Sequence, residues 1–265
     1  MARSPVSQRP DAIPALPAVS ASLPAGGIRS QAGKRVLVVV PVEEAYGRVI
    51  IDAIIHYARR HTGWEMLFAP QPRRESAWVP RGRTVDGLLV DGNMPGILPR
   101  ARALACPTVI MSGKDHPPDM GQVIMNNRQV GRMAAEYLLG LGFGQLGYCG
   151  LASAWSSTVR HQGFVERLRE EPVAPVCHEF FGSDQTLHDW DAESPDLMAW
   201  VRQLPKPIAI FSQNDNLARQ VALACQELSI AMPEQVAILG VNNDALTCEM
   251  ASPPLSSIDH NADAL

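Results

Sequence analysis

The chain has 265 residues, of which 46% are hydrophobic, and a formal net charge of −4 at pH 7. This length admits one large domain or two lobes of ordinary size with full hydrophobic cores. The mild negative charge gives no indication of a nucleic-acid surface or a membrane patch. No apolar run is long enough to span a bilayer, and prolines interrupt the apolar stretch that a signal peptide would need. We therefore expect a cytoplasmic protein.

The first part of the chain changes from a low-complexity leader to alternating strands and helices. Residues 1–33 are rich in proline, alanine, serine and glycine without a hydrophobic period, which predicts a disordered leader. Hydrophobic periodicity then predicts strands over 35–40, 64–68, 87–90, 108–111 and 122–125, a helix over 45–60, and a further helix within 73–83.

The second part continues this alternation. Helices are predicted over 129–141, 158–170, 195–204 and 217–228, and strands over 145–149, 176–180, 208–211 and 236–239. The pattern is typical of an α/β protein whose parallel sheets carry helices on both faces. About ten strands is many for one open sheet, so we predict two smaller sheets joined by strand crossings. A strand beginning near Ser256 is followed only by a short stretch to Leu265, which indicates an incomplete carboxyl end.

Polar residues follow two strands of this second part. Asn214-Asp215-Asn216 follows the strand over 208–211, and Asn242-Asn243-Asp244 follows the strand over 236–239. The carboxyl ends of parallel strands meet at one edge of a sheet, where ligands bind. Two such turns can hold a molecule covered in hydroxyl groups, and the sequence places no nucleophile or metal cluster beside them. The pattern therefore favours binding over catalysis.

Motifs that would indicate an enzyme or a metal site are weak. The segment Gly142-Phe-Gly-Gln-Leu-Gly147 matches a dinucleotide fingerprint, but a helix precedes it and a strand follows, which reverses the order that binds a pyrophosphate. We interpret these glycines as a helix cap. Ser156 and Ser157 are likewise predicted to cap a helix. The seven histidines and five cysteines lack metal-ligand spacing, so we predict no metal site. A serine nucleophile would need a Gly-x-Ser-x-Gly elbow, which is absent, and we predict no cofactor.

Four residues are ligand candidates, each with an ordinary structural alternative. Arg160 is predicted in the first turn of a helix, where cations oppose the macrodipole. It either forms a structural salt bridge or points its planar fork at two hydroxyls of a ligand. Asp215 either caps its helix or accepts hydrogen bonds from a ligand. Trp155 and Trp190 lie in loops or at helix entries, where an indole ring either packs or stacks on the apolar face of a sugar.

Taken together, several segments resemble the sensor domains of LacI/GalR-type repressors over residues 34–262. The segments are Val123 to Asn127, Gly131 with Ala134 and Leu138, Gly142 to Tyr148, Ser157 with Arg160, Gly163-Phe164, Ala209 to Ala218, Val236 to Asp244, and Pro253 to Ile258. The resemblance implies the type I periplasmic-binding-protein fold, in which two Rossmann-like lobes close on a sugar. The lobes would comprise residues 34–148 with 259–265, and residues 149–258.

Within this superfamily the chain is similar to xylose operon regulators of the XylR kind, which carry an AraC-type helix-turn-helix module after the sensor. The turn Ala45-Tyr-Gly-Arg48 and the ending Leu255-Ser-Ser-Ile258 are similar to theirs, and no DNA-binding headpiece precedes the sensor. The family's ligand positions fall on Tyr46, Arg48, Asp91, Arg160, Asn214, Asp215 and Asn242. The family usually has an aspartate-led pair at Asn242-Asn243, and losing that carboxylate weakens charge-assisted hydrogen bonds to hydroxyls.

The resemblance implies the effector-binding domain of a transcription regulator that senses a sugar, specifically a pentose such as D-xylose, through lobe closure. Its partners would be a second copy in a homodimer, and DNA bound through a carboxyl-terminal helix-turn-helix module outside this chain. The alternative is a solute-binding protein of a sugar transporter, which has the same fold and which a signal peptide would favour. A nucleotide-dependent enzyme is a third hypothesis and would need a glycine loop that leads from a strand into a helix.

Overall fold

The computed structural model describes residues 33–42, 45–61, 63–69, 84–115, 117–183 and 194–259. In this part of the chain, ten strands form two five-stranded sheets in which every pairing is parallel. The predicted α/β class with two parallel sheets is therefore confirmed. The predicted leader, the helix predicted within 73–83 and Trp190 lie outside the described residues. None of the described helices is both long and apolar enough to cross a membrane.

The first sheet is built around a strand that is buried on both faces. It consists of β1 (Arg35–Val39), β2 (Glu65–Phe68), β3 (Gly87–Val90), β4 (Thr108–Ile110) and β5 (Gly121–Gln122), in the order β2-β1-β3-β4-β5. Helix α1 (Ala45–His61) covers one face, where Ile50 packs with Val38. Helix α2 (Ile97–Ala103) covers the other, where Ile97 packs with Leu37. We call this unit the first lobe.

The second sheet also carries helices on both faces. It consists of β6 (Gln145–Leu151), β7 (Val176–Gly182), β8 (Ile208–Ser212), β9 (Val236–Val241) and β10 (Ser256–Ile258), in the order β10-β9-β8-β6-β7. Its helices are α3 (Asn127–Gly140), α4 (Trp155–Leu168), α5 (Pro195–Gln203), α6 (Asp215–Glu227) and α7 (Ala245–Met250). Residues of α3 and α4 belong to the apolar core on one face, and residues of α5 and α6 to the core on the other. We call this unit the second lobe.

Most predicted elements are present, with ends within three residues of the predicted ones. The strand predicted over 122–125 is confirmed only at its first residue, because β5 ends at Gln122 and residues 123–126 connect it with α3. The helices α2 and α7 were not predicted, since they are too short to show a full hydrophobic period. Helix α2 also contains Pro99, which is tolerated there because first-turn N–H groups lack helical partners.

The chain passes from the first lobe to the second before α3. Val130, Ala134 and Leu138 of α3 pack in the same core as Tyr148 of β6. The predicted lobe boundary after residue 148 falls inside β6, whose residues pair with β7 on one side and β8 on the other. The last residues before α3 therefore form the connection that borders both lobes.

The glycine-rich segment after α3 ends that helix, as predicted. Gly142 has a φ of 85°, a left-handed conformation that glycine adopts without steric cost. Its N–H donates to the Leu139 carbonyl at 2.8 Å, and the Phe143 N–H donates to the Leu138 carbonyl. Because β6 follows directly, the segment has the geometry of a helix cap and not of a dinucleotide loop.

Candidate ligand-binding cleft

A cleft of about 580 Å³, measured out to its open mouth, has residues of both lobes in its walls. The first lobe and the connection contribute Tyr46, Asn93, Ser112, Gly113, Ile124 and Met125, and the second lobe contributes Asn127, Trp155, Ser156, Arg160, Gln213, Asn214 and Asn242. These residues follow the carboxyl ends of strands or lie in the helices that come next, as in other open α/β folds.

The structure brings five of the predicted ligand residues to this cleft: Tyr46, Trp155, Arg160, Asn214 and Asn242. Three others, Arg48, Asp91 and Asp215, do not line it. The ninth, Trp190, lies outside the described residues. Five of the nine predicted residues thus meet in one cleft, and their contact with a ligand stays a prediction.

Asp91 lies behind the wall of the first lobe, and its predicted direct contact with a ligand is not what the geometry shows. It is 4% exposed. Its carboxylate accepts hydrogen bonds from the Asn93 N–H at 2.8 Å and from the Ser112 hydroxyl. The Asn93 side chain also donates to the Ser112 hydroxyl at 3.1 Å. Asp91 therefore holds two cleft residues that follow neighbouring strands.

Arg160 is the only charged side chain of the lining within the described residues, and it is 6% exposed. Its Nε donates to the Asn127 side-chain oxygen at 2.9 Å, one terminal nitrogen donates to the Gln213 carbonyl, and the other contacts the Met125 sulfur at 3.4 Å. These partners are neutral, so the alternative of a structural salt bridge finds no support in the described part of the chain. Burial lowers the pKa of Arg160 to about 10, which leaves it charged at neutral pH.

The start of α4 differs from the prediction and places Trp155 in the cleft wall. The helix begins at Trp155, so Arg160 lies in its second turn and not in its first. Ser157 does not cap the helix. Its hydroxyl instead accepts the Leu151 N–H at 3.0 Å and lies 3.1 Å from the Tyr148 hydroxyl. Ser156 lines the cleft beside Trp155.

Asp215 is turned away from the cleft, contrary to both predicted roles. Asn214 is the cap of α6, because its side-chain oxygen accepts the Leu217 N–H at 2.9 Å. Asp215 is 2% exposed and accepts hydrogen bonds from the Asp244 N–H at 2.8 Å and the Ser257 hydroxyl at 2.6 Å. Burial raises the pKa of its carboxyl, while these hydrogen bonds lower it.

These bonds secure the strained turn that presents Asn242. Asn242 and Asn243 have φ values of 108° and 51°, in a region that non-glycine residues seldom occupy. Each such residue costs on the order of 1–3 kcal/mol and persists only where surrounding contacts enforce it. Asp215 holds the turn at Asp244, and the Ser257 hydroxyl accepts the Asn243 N–H at 2.9 Å. Asp215 thus supports the cleft indirectly.

Arg48 joins the two lobes beside the cleft instead of lining it. One of its terminal nitrogens donates to the Val42 carbonyl at 3.0 Å. The other lies 3.3 Å from a carboxylate oxygen of Asp244, which belongs to the turn after β9. This ion pair connects the start of α1 in the first lobe with the second lobe.

Sequence reasoning missed eight lining residues: Asn93, Ser112, Gly113, Ile124, Met125, Asn127, Ser156 and Gln213. Asn93 follows the predicted strand over 87–90 by three residues, and Ser112 follows the one over 108–111 by one residue. The rule that polar residues after strand ends bind ligands, which identified Asn214, therefore applies to them as well. Ile124 and Met125 were missed because the strand predicted over 122–125 included them. Ser156 was missed because the helix was predicted to begin at residue 158, whereas α4 begins at Trp155.

Amide and hydroxyl groups dominate the polar chemistry of the lining. Four asparagines and one glutamine contribute to it, together with two serines and one tyrosine. Amides and hydroxyls both donate and accept hydrogen bonds, as sugar hydroxyls do. Among the described residues the lining includes no carboxylate, histidine or cysteine. The lining can therefore form hydrogen bonds with a molecule rich in hydroxyl groups.

Comparisons with known proteins agree with this architecture. The family model of a periplasmic-binding-protein-like domain matches residues 135–265. A xylose operon regulatory protein of Haemophilus influenzae is 23% identical over 224 residues, which cover 82% of this chain and 57% of that protein. The structure of a xylose-binding transcription activator, XylR, has a TM-score of 0.72 at 22% identity and covers 87% of this chain and 60% of that one.

A LacI-family regulator of Enterococcus faecium, solved with bound ribose, has a TM-score of 0.67 at 18% identity and covers 88% of this chain and 86% of that one. The type I periplasmic-binding-protein-like fold and the resemblance seen in the sequence are thus confirmed. The chain spans somewhat more than half the length of the xylose operon regulatory protein that it matches, 57%. The proteins compared are named as transcription regulators, which supports a binding domain over an enzyme.

Proposed function

We propose that this chain is the sugar-binding part of a transcription regulator and that its cleft takes a pentose such as D-xylose. The observation that carries the proposal is the lining itself, which combines amides and hydroxyls from both lobes with one buried guanidinium and, within the described residues, no carboxylate. Such a wall can satisfy the many hydroxyls of a sugar, whereas a metal-bound ligand would call for carboxylate, imidazole or thiolate groups in the wall.

Arg160 and Trp155 would supply the specific contacts. A guanidinium has five N–H groups in a rigid plane, and contacts with the described residues use three of those of Arg160. The remaining donors can reach two neighbouring hydroxyls. The indole of Trp155 lies in the same lining and can cover the apolar face of the sugar ring. Polar and apolar sides of one sugar would thus meet different walls.

The printed names of three similar proteins support a pentose. The H. influenzae relative is named for the xylose operon, the XylR structure is described as xylose-binding, and the E. faecium regulator was solved with ribose.

We propose a mechanism of population shift, in which sugar favours a closed arrangement of the two lobes. The Arg48–Asp244 ion pair already crosses between the lobes next to the cleft. Closure would alter the geometry of a homodimer and so affect DNA binding in the cytoplasm. DNA contact would come from a helix-turn-helix module outside these 265 residues, as the resemblance to XylR-type regulators implies.

A ligand panel tests the proposal. The 265-residue chain is melted alone and with D-xylose, L-arabinose, D-ribose, D-glucose or NAD. A sugar at 100 times its dissociation constant should stabilise the chain by about 2.7 kcal/mol, which raises the melting temperature by roughly 5–10 °C for a chain of this size. We expect this increase with pentoses. A cooperative melt that no sugar shifts, or that only NAD shifts, would overturn the proposal.

A further inference from the structure

Three side chains with metal-binding groups meet outside the cleft, between α4 and β7. His161 lies on α4, and Cys177 and Glu179 lie two residues apart on β7, so they share one face of that strand. One donor atom of each residue lies within 4.8 Å of the other two. In the described part of the chain, this is the one group of three such residues that comes so close.

The imidazole of His161 is already directed at Glu179. Its Nε2 lies 2.8 Å from a carboxylate oxygen of Glu179. Its ring packs against Tyr148 with a centroid distance of 4.9 Å and against the edge of Phe181 at 5.3 Å. These aromatic contacts restrict rotation of the ring, so binding a cation would cost little additional conformational entropy.

The donor set and its spacing suit zinc. Zinc(II) binds cysteine sulfur at about 2.3 Å, histidine nitrogen at about 2.0–2.1 Å and carboxylate oxygen at about 2.0–2.2 Å, in tetrahedral geometry. Bonds of these lengths separate the ligand atoms by roughly 3.3–3.8 Å. The observed spacings, from 2.8 Å up to the limit of 4.8 Å, bracket that range. Side-chain adjustments alone can therefore bring all three atoms onto one ion.

The cluster is accessible from solvent on one side. The side chain of Glu179 is 45% exposed and that of His161 is 19% exposed, so an ion can enter without opening the core. Cys177 is half-buried and not part of a disulfide. Burial raises the pKa of its thiol to about 12, so the sulfur carries a proton that a bound cation must displace.

We propose that His161, Cys177 and Glu179 form a zinc(II) site with a fourth position open to water. The ion would link α4 to β7, which lies at the edge of the second sheet. Since α4 also carries Trp155 and Arg160, the ion would stabilise the element that supplies part of the cleft wall. The site is independent of the sugar proposal, because none of its three ligands lines the cleft.

Cobalt(II) titration tests this site directly, because thiolate ligation and tetrahedral geometry each have a signature in the absorption spectrum. We expect a thiolate-to-cobalt charge-transfer band that saturates at one equivalent and disappears when zinc is added. Cys177→Ser should remove the band. His161→Gln and Glu179→Gln should weaken metal binding at least about tenfold. Removing only an outer hydrogen-bond partner of a metal ligand already weakens binding by about that factor, and these variants remove the ligand itself.

Two other residues of the same types as the ligands serve as matched controls. His178 lies between two of the ligands in sequence but on the opposite face of β7, where it contacts Gln145 at 3.2 Å. Cys106 is a half-buried free cysteine of the first lobe. We expect His178→Gln and Cys106→Ser to retain the band and the stoichiometry.

Circular dichroism of each variant separates loss of metal binding from loss of folding. If Cys177→Ser fails to fold, Glu179→Gln still tests the proposal, because Glu179 is exposed and its replacement leaves the core intact. The proposal is overturned if the parent chain shows no saturable band. It is also overturned if the band persists in Cys177→Ser, or if Glu179→Gln binds as tightly as the parent.

Discussion

At the scale of single residues, Arg160 stands out because it is a buried charge in the cleft wall. Burying it is unfavourable in free energy, which suggests that it has a role in ligand binding. A buried charge is expensive unless it is paired and hydrogen-bonded. The partners of Arg160 among the described residues are an amide oxygen, a carbonyl and a thioether, so its charge is not neutralised locally. Burial accordingly lowers its pKa to about 10. A group maintained in this state is well suited to bind the hydroxyls of a ligand.

We expect Arg160→Lys to weaken binding of the stabilising pentose by about 10- to 150-fold, since hydrogen bonds to charged groups contribute about 1.5–3 kcal/mol. Lysine keeps the charge but lacks the planar fork. Arg160→Ala should abolish binding while the chain still melts cooperatively. Isothermal titration calorimetry measures both. The control is Arg128→Lys on α3, whose exposed side chain pairs with Glu166, and it should leave affinity unchanged. An Arg160→Lys variant that binds like the parent would exclude this site.

At the scale of elements, the close crossing of α3 and α4 positions the second-lobe wall. A Cβ atom at Gly131 would collide with the Arg160 carbonyl oxygen, and one at Gly163 would collide with the Arg128 carbonyl oxygen. The two helix backbones therefore touch at glycines. Arg132 and Glu170 form an ion pair at 2.7 Å further along the same contact. This crossing brings Arg160 on α4 within reach of Asn127 on α3.

Gly163→Ala should destabilise the chain by about 1–3 kcal/mol, because the added methyl group forces the helices apart. The melting temperature should fall by roughly 2–12 °C. In most helices a change from glycine to alanine is stabilising by up to about 1 kcal/mol. A loss of stability for Gly163→Ala would therefore point to the close packing of the two helices. Gly140→Ala at the end of α3 is the matched control, since a Cβ atom there meets no neighbour within 4 Å. Differential scanning calorimetry decides the matter, and an unchanged or higher melting temperature for Gly163→Ala contradicts the packing argument.

At the scale of the whole molecule, the Arg48–Asp244 ion pair joins the two lobes within the part of the chain that the structure describes. The side chains of Arg48 and Asp244 are 46% and 16% exposed, so their pairing contributes no more than about 1 kcal/mol. A weak contact of this kind suits an equilibrium between open and closed forms, because a strong one would hold the lobes closed without ligand.

Arg48→Gln should therefore weaken sugar binding about two- to fivefold without changing which sugar is preferred. The parent's affinity should also fall with rising salt more than that of the variant, because salt screens exposed charges. Arg35→Gln provides the control, since Arg35 pairs with Glu65 inside the first lobe at similar exposure. Equal affinities and equal salt dependence for parent and Arg48→Gln, measured by calorimetry, would show that the pair plays no part in closure.

Strand and helix positions were largely predictable because hydrophobic periodicity is a local property of the chain. The buried run over 35–39 and the glycine cap at Gly142 are examples. The predictions failed where packing against distant parts of the chain outweighed the local sequence pattern. Residues 123–126 have an apolar, strand-like composition, yet they leave the first sheet because α3 must pack on the second.

The sequence by itself determined the alternation of strands and helices, the two-sheet class, and the strand ends at which Asn214 and Asn242 lie. Only the tertiary structure decided which neighbouring side chain faces the cleft. Asp215 follows Asn214 by one residue, but one residue turns a helix by about 100°, and this directs Asp215 at the turn after β9. Arg48 with Asp244, and His161 with Cys177 and Glu179, meet through packing between distant segments, which no local pattern of residues records.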